Sequence, residues 1–295
     1  MHLPGGIRVS RTLRQWRSRF RPGVAILGYH RVSDTRPDPL GLSVSPAHFR
    51  AQLAAIARIA QPLSLADAAR SLAAGRTPSR GLVLTFDDGY ADNLETVLPL
   101  LEERAMPVTI FVTTGNRGGE FWWDRLARAL EGAGKISDAY RIAAELERLP
   151  AQERDQRLTQ LEAGNAPSLP PAHRSMTAEE LQRIAASPLV EIGAHGESHA
   201  PLPTLPRARQ RDESLRSRLE LERLIGSPVT SFAYPHGAIS PETVEVIRDA
   251  GYAVACCSKS DVATSASPRL ALPRLWVRNL DGSRFERWLR GWLHG

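Results

Sequence analysis

Short apolar runs alternate along this chain with segments of helical periodicity, and that alternation restricts the possible folds more than any other feature. Val24 to His30 reads as a first strand, and Pro46 to Ile59 as a helix with Ser45 as N-cap. Pro46 stands at the first helical position, where its missing N–H costs nothing. Gly81 to Phe86 is the next strand, Asp92 to Arg104 the next helix and Val108 to Val112 a third strand. Thr177-Ala178-Glu179-Glu180 has the form of a capping box, opening a helix to Ala186 that precedes a strand at Leu189 to Ile192. A helix from Arg207 to Ile225, a strand from Val229 to Ala233 and a helix from Pro241 to Ala250 follow, with strands near Tyr252–Cys256 and Leu272–Val277. The pattern predicts an α/β fold with a mostly parallel sheet, and seven or so units predict a barrel.

One segment interrupts the alternation. From about 115 to 175 the sequence is helical and polar, opened by Phe121-Trp122-Trp123-Asp124 and closed by Pro167, Pro170 and Pro171. We expect a helical insertion over the mouth of the barrel, where loops carry specificity. Trp122 and Trp123 can stack on a sugar ring or simply anchor the insertion. The expected organisation is a basic amphipathic segment at 1–22, a barrel at 23–283 and an amphipathic tail at 284–295.

Both termini set apolar residues among arginines at helical spacing: Leu13, Trp16 and Phe20 at one end, Phe285, Trp288, Leu289, Trp292 and Leu293 at the other. Such helices can lie on a membrane surface or pack on the domain. The net charge of +6 rests on 36 arginines and two lysines, a bias that looks compositional, so no nucleic-acid partner is expected. No run reaches the roughly 20 apolar residues of a transmembrane span, and arginines break every candidate signal core near the N-terminus. The expectation is a cytoplasmic protein whose terminal helices pack on the domain, with peripheral membrane contact through the termini as the alternative. The two cysteines, Cys256 and Cys257, are adjacent and suggest neither a disulfide framework nor a metal site.

The chemistry concentrates at two strand ends. Leu82 to Phe86 delivers Asp87 and Asp88, and Leu189 to Ile192 leads into His195-Gly-Glu-Ser-His199. A catalytic zinc-type site takes three imidazole or carboxylate ligands and keeps a position open for water. One aspartate with His195 and His199 meets that need, and the other aspartate is then available as a general base. The plainer alternative is a turn at Asp-Asp-Gly and two solvated loop histidines.

Thr85-Phe86-Asp87-Asp88-Gly89-Tyr90, His195 to His199 and Phe232-Ala-Tyr-Pro-His-Gly237 resemble, in order and spacing, three motifs of the polysaccharide deacetylases, the NodB-like carbohydrate esterase family four. The match spans about residues 24 to 278, and Tyr29-His30-Arg31-Val32 with Val44-Ser45-Pro46 is similar to the branch acting on poly-N-acetylglucosamine. The resemblance implies a distorted (β/α)7 barrel that removes acetyl groups from N-acetylated sugars. It makes Asp87 the general base and Asp88, His195 and His199 the ligands of one divalent ion, zinc or else cobalt, nickel or manganese. Water on that ion is then the nucleophile, and a backbone N–H, here that of His236, helps to stabilise the oxyanion. Tyr90, Tyr234, Trp122 and Trp123 become candidates for substrate contact.

Two departures stand out. The family's base-orienting arginine is replaced by Ala233, and the late strand Leu272-Pro273-Arg274-Leu275-Trp276-Val277 has no histidine acid. Because first and last strands of a barrel are neighbours, we expect Arg274 beside Asp87 and His30 as the acid, with His236 as a second candidate. Two alternatives stay open: a carbohydrate-binding protein on a degenerate scaffold, and an amidohydrolase of a small non-sugar amide. A capped pocket would favour the small amide and a long groove a polymer.

Overall fold

The computed structural model describes residues 23–34, 37–162 and 173–293. The N-terminal segment 1–22 and Pro167, Pro170 and Pro171 lie outside them. Ten strands occur among the described residues: β1 (Ala25–Tyr29), β2 (Arg31–Val32), β3 (Ser43–Val44), β4 (Gln61–Pro62), β5 (Gly81–Phe86), β6 (Val108–Val112), β7 (Val190–Ala194), β8 (Ser231–Ala233), β9 (Val254–Cys256) and β10 (Leu275–Trp276). The main sheet runs β10-β1-β5-β6-β7-β8-β9, all parallel, with β4 added beside β5.

The sheet curls until its edges meet. Leu272 bridges to Cys256, beside β9, and three residues later Leu275 pairs with Leu27 of β1. One short segment therefore stitches both edges together and closes a distorted barrel, which removes unpaired strand edges. Strand alternation divides the core into two layers. Leu27, Tyr29, Leu84, Phe86 and Ile110 face the outer helices, while Ile26, Val83, Phe111, Val254 and Cys256 face the other way and join Leu65, Ala68 and Leu72 of the helix Leu65–Ala73. That helix, capped by Ser64, and the small β2–β3 ladder have no counterpart in the sequence expectation.

The long helices follow their local signals. Ser45 accepts the N–H of His48 at the start of Pro46–Ile59, and Thr177 and Glu180 form the reciprocal capping box. The expected helix from Asp92 to Arg104 differs. It is a π-helical turn, Asn93–Val97, followed by a short α-helix, Leu98–Glu102. Pro99 lacks the N–H that a continuous α-helix would point at Glu95, so the chain widens there.

The C-terminus also corrects the expectation. Residues 284–295 do not begin a separate tail, because the helix Gly282–Arg290, capped by Asp281, packs on the helix Pro46–Ile59. Its apolar face is spent on the core: Phe285 and Leu289 are fully buried and Trp292 nearly so. That face is therefore not available to a membrane. No helix among the described residues is long and apolar enough to cross one. We expect Phe285→Ala to lower the unfolding free energy by about 3–5 kcal/mol, the cost of emptying a buried aromatic site, measured by denaturant unfolding. A surface-seeking face would lose almost nothing.

Candidate metal centre and acid–base site

The site forms where β1, β5, β7 and β8 end. After β5 the chain reverses sharply, with Asp88 and Gly89 both in the left-handed region at φ 72° and 70°. Gly89 adopts this freely and Asp tolerates it better than most residues. The reversal aims two neighbouring carboxylates at different partners. Among the described residues, Asp88, His199 and His236 are three of five non-glycine residues at positive φ, so backbone strain gathers here.

Asp88, His195 and His199 offer ligand atoms all within 4.8 Å of one another. The Nε2 atoms of His195 and His199 lie 3.6 and 3.3 Å from Asp88 Oδ1. His195 Nδ1 bonds the Ala233 carbonyl at 2.7 Å, which sets its tautomer and leaves Nε2 with its lone pair facing the cluster. Asp88 Oδ1 and His199 Nδ1 are buried without a hydrogen-bond partner. Burial pushes the Asp88 carboxyl up, and pushes His195 down to about 4 and His199 to about 3. Two neutral imidazoles and an orphaned carboxylate oxygen are a donor set that a divalent cation fits, and its charge would hold Asp88 ionised.

Asp87 is managed differently. Burial alone would raise its carboxyl, but the guanidinium of Arg274 holds it well below the usual carboxylate range. Arg274 donates from both terminal nitrogens to the two Asp87 oxygens at 2.7 Å each. It also donates to Thr85 at 3.2 Å, and its guanidinium lies 4.8 Å from the centroid of the Trp276 ring. Asp87 Oδ2 remains 3.8 Å from His195 Nε2, at the edge of the cluster.

His30 and His236 flank the centre on opposite sides in strand order. His30 stacks on Trp276 at 4.8 Å, which Gly28 permits, since a Cβ there would sit 2.8 Å from the same ring. His236 lies 2.9 Å from Glu147 through Nδ1, and its ring stands 4.7 Å from that of His199. Burial lowers the pKa of His30, and lowers that of His236 to about 4.

Tyr90 and Tyr234 are not substrate contacts in this geometry. Both are fully buried: the Tyr90 hydroxyl donates to Asp124 at 2.7 Å, and that of Tyr234 to the Leu270 carbonyl at 2.8 Å. Trp122 and Trp123 do border the cavity above the centre, together with His30, His236 and Trp276. Trp123 acts largely as an anchor, with its ring 4.7 Å from that of His199 and its N–H donated to Tyr90.

Two supports escaped sequence reasoning. Glu213 accepts the N–H groups of Glu197 and Ser198 at 3.0 and 2.8 Å and so shapes the loop that carries both histidines. The only local signal is an acid on one face of a strongly polar helix. Arg31 bonds Asp124 at 3.1 Å and lies 3.5 Å from Asp92, tying the Tyr90 turn to the insertion. Burial raises Asp92 to about 6 and Asp124 to about 7.

The comparisons with known proteins agree with this geometry. The family model described as polysaccharide deacetylase matches residues 74–255, and the chain belongs to that family. YxkH of Bacillus subtilis, which carries the family's name, is 22% identical over 231 residues, covering 78% of this chain and 63% of its own length. The poly-beta-1,6-N-acetyl-D-glucosamine N-deacetylase of Escherichia coli K12 is 24% identical over 269 residues, 87% of this chain but 37% of that protein. The chain thus spans less than two thirds of either curated relative. Among solved structures, IcaB from Ammonifex degensii superposes with a TM-score of 0.66 at 20% identity, covering 91% of this chain and 97% of that one. The Streptococcus pyogenes deacetylase PplD, in complex with acetate, gives 0.65 at 18% identity, covering 90% and 97%. These likenesses establish the α/β barrel of the family.

Arg274→Ala is expected to cost about 3–5 kcal/mol in unfolding free energy, because a buried carboxylate loses its partner. Arg274→Lys should restore only part of this, since an ammonium cannot match the two-pronged contact. For the metal centre, elemental analysis should find one divalent ion per chain, lost in His195→Ala. Glu213→Ala should weaken metal affinity by about 10–100-fold, the usual effect of removing a group that supports ligands.

Proposed function

We propose that this protein is a metal-dependent hydrolase that removes N-acetyl groups from an N-acetylated sugar of the N-acetylglucosamine type. The observation that carries the reading is the unequal treatment of two adjacent carboxylates: Asp88 joins two histidines, while Asp87 is clamped by Arg274 at the cluster's edge. A binding protein has no use for a carboxylate held ionised but outside the ligand set, so the degenerate-scaffold alternative is the weaker one.

A divalent ion held by Asp88, His195 and His199 would acidify a water and polarise the acetamide carbonyl. Asp87 takes the proton from the attacking water. Both of its oxygens are engaged by Arg274, so the carboxylate cannot rotate away, and Oδ2 keeps a lone pair for the site. The guanidinium of Arg274 keeps Asp87 ionised, the form in which it can accept a proton. Collapse of the tetrahedral carbon needs a proton on the departing amine. His30 is our assignment for that donor and His236 the second candidate, supported by their positions flanking the centre. The N–H of His236, at the strained turn after β8, is our candidate for the oxyanion.

The modest cavity volume, about 320 Å³, favours the remaining alternative, hydrolysis of a small non-sugar amide. Family membership weighs toward the sugar.

The decisive experiment measures acetate released from N-acetylglucosamine oligosaccharides by chelated protein and by protein resupplied with zinc, cobalt, nickel or manganese. Metal-dependent acetate is expected, reduced about 10²–10⁴-fold by Asp87→Asn, the usual contribution of a general base. Acetate release that survives chelation and the substitution would refute the assignment. His30→Ala should lower kcat more than His236→Ala does, and the reverse order would exchange their roles.

A further inference from the structure

The insertion does more than border the centre; it walls one side of the cavity above it. Ala143, Ala144 and Glu147, from the helix Ala139–Leu146 and the residue after it, line the cavity above the metal ligands together with Tyr140. Leu40, from the loop between β2 and β3, packs against both the insertion's core and the Trp123 cluster, which extends the wall on that side. On the other side Glu147 reaches across to His236 at 2.9 Å, joining the insertion to the turn after β8. A wall therefore runs from Leu40 through the insertion to His236. The cavity, partly open to solvent, has a volume of about 320 Å³, near the lower end of the ~300–1,000 Å³ found for small-ligand sites.

A polymer bound by its middle must enter and leave the site, which needs a groove open at two ends. The Glu147–His236 contact stands across one of them. Resting on the deacetylase reading above, we propose that the substrate enters end-on: the site takes a terminal N-acetylated sugar, or a single one on an apolar carrier, and excludes internal units of a chain. Leu40, Leu42, Trp122 and Trp276 give the cavity an apolar wall suited to the faces of one ring and its acetyl methyl. The two small side chains Ala143 and Ala144 line the cavity beside this wall and leave room for that ring.

The test uses the full chain, metal-loaded, with β-1,4- and β-1,6-linked N-acetylglucosamine oligomers of one to six units, the site of deacetylation being located by mass spectrometry. One acetate per chain, from a terminal unit, is expected, with kcat/KM varying by less than about 3-fold from dimer to hexamer because no remote unit contributes binding energy. Chelated protein titrated with the same oligomers, read by tryptophan fluorescence, should show equal affinity for dimer and hexamer. Glu147→Ala should open the wall and allow internal deacetylation. Internal deacetylation by the unaltered protein, or affinity that climbs with length, overturns end-on entry and leaves the deacetylase assignment intact. No acetate from any oligomer despite bound metal overturns that assignment and the end-on proposal together, leaving a non-sugar amide as the substrate.

Discussion

Arg274 and Asp87 are separated by 187 residues yet meet in a two-pronged contact at 2.7 Å with neither side chain exposed. Much of the architecture is a condition for that meeting. Asp87 is delivered by β5 and Arg274 just before β10, with β1 between them, so the pair exists only if the last strand returns to lie against the first. A buried ion pair of this kind is poor value as stability, since desolvation consumes most of the attraction. Its use is positional: it holds a carboxylate charged and immobile at the edge of a metal centre.

The same pair explains how neighbouring aspartates come to do different things. Asp87 meets a guanidinium and is held low, whereas Asp88 turns through a left-handed backbone toward two imidazoles and, by burial, is pushed up. Sites that run acid and base chemistry together commonly separate like groups by environment in this way. Ala233, where the motif resemblance leads one to expect an arginine, contributes its backbone carbonyl to His195 instead. Closure of the barrel brings the Arg274 guanidinium, just before β10, to Asp87.

Support for the centre radiates outward through three separate structures. Glu213 shapes the histidine loop from a surface helix, Trp123 walls His199 from the insertion, and Arg31 ties the insertion to the turn after β5. The insertion is thus joined to the geometry of the candidate ligands as well as lining the cavity above them.

Local signals in the sequence were enough for most of the long helices, the central strands and the two strand-end motifs. Caps, proline positions and alternating burial act within a few residues, which is why Ser45, Thr177 and Gly81–Phe86 could be read directly. The π-helical turn at Asn93, the burial of Tyr90 and Tyr234 and the docking of the C-terminal helix were not legible, because each depends on what packs against the segment. An amphipathic face looks the same whether it meets a membrane or another helix, and Phe285 and Leu289 met a helix. What the chain's own order of residues determined was an α/β barrel with carboxylates and imidazoles at strand ends on one rim. Which carboxylate is clamped and which is left to a metal, what stabilises the histidine loop and how much room remains above it were decided only by tertiary structure. Those properties arise from distances between residues far apart in the chain, and such distances exist only once the barrel has closed.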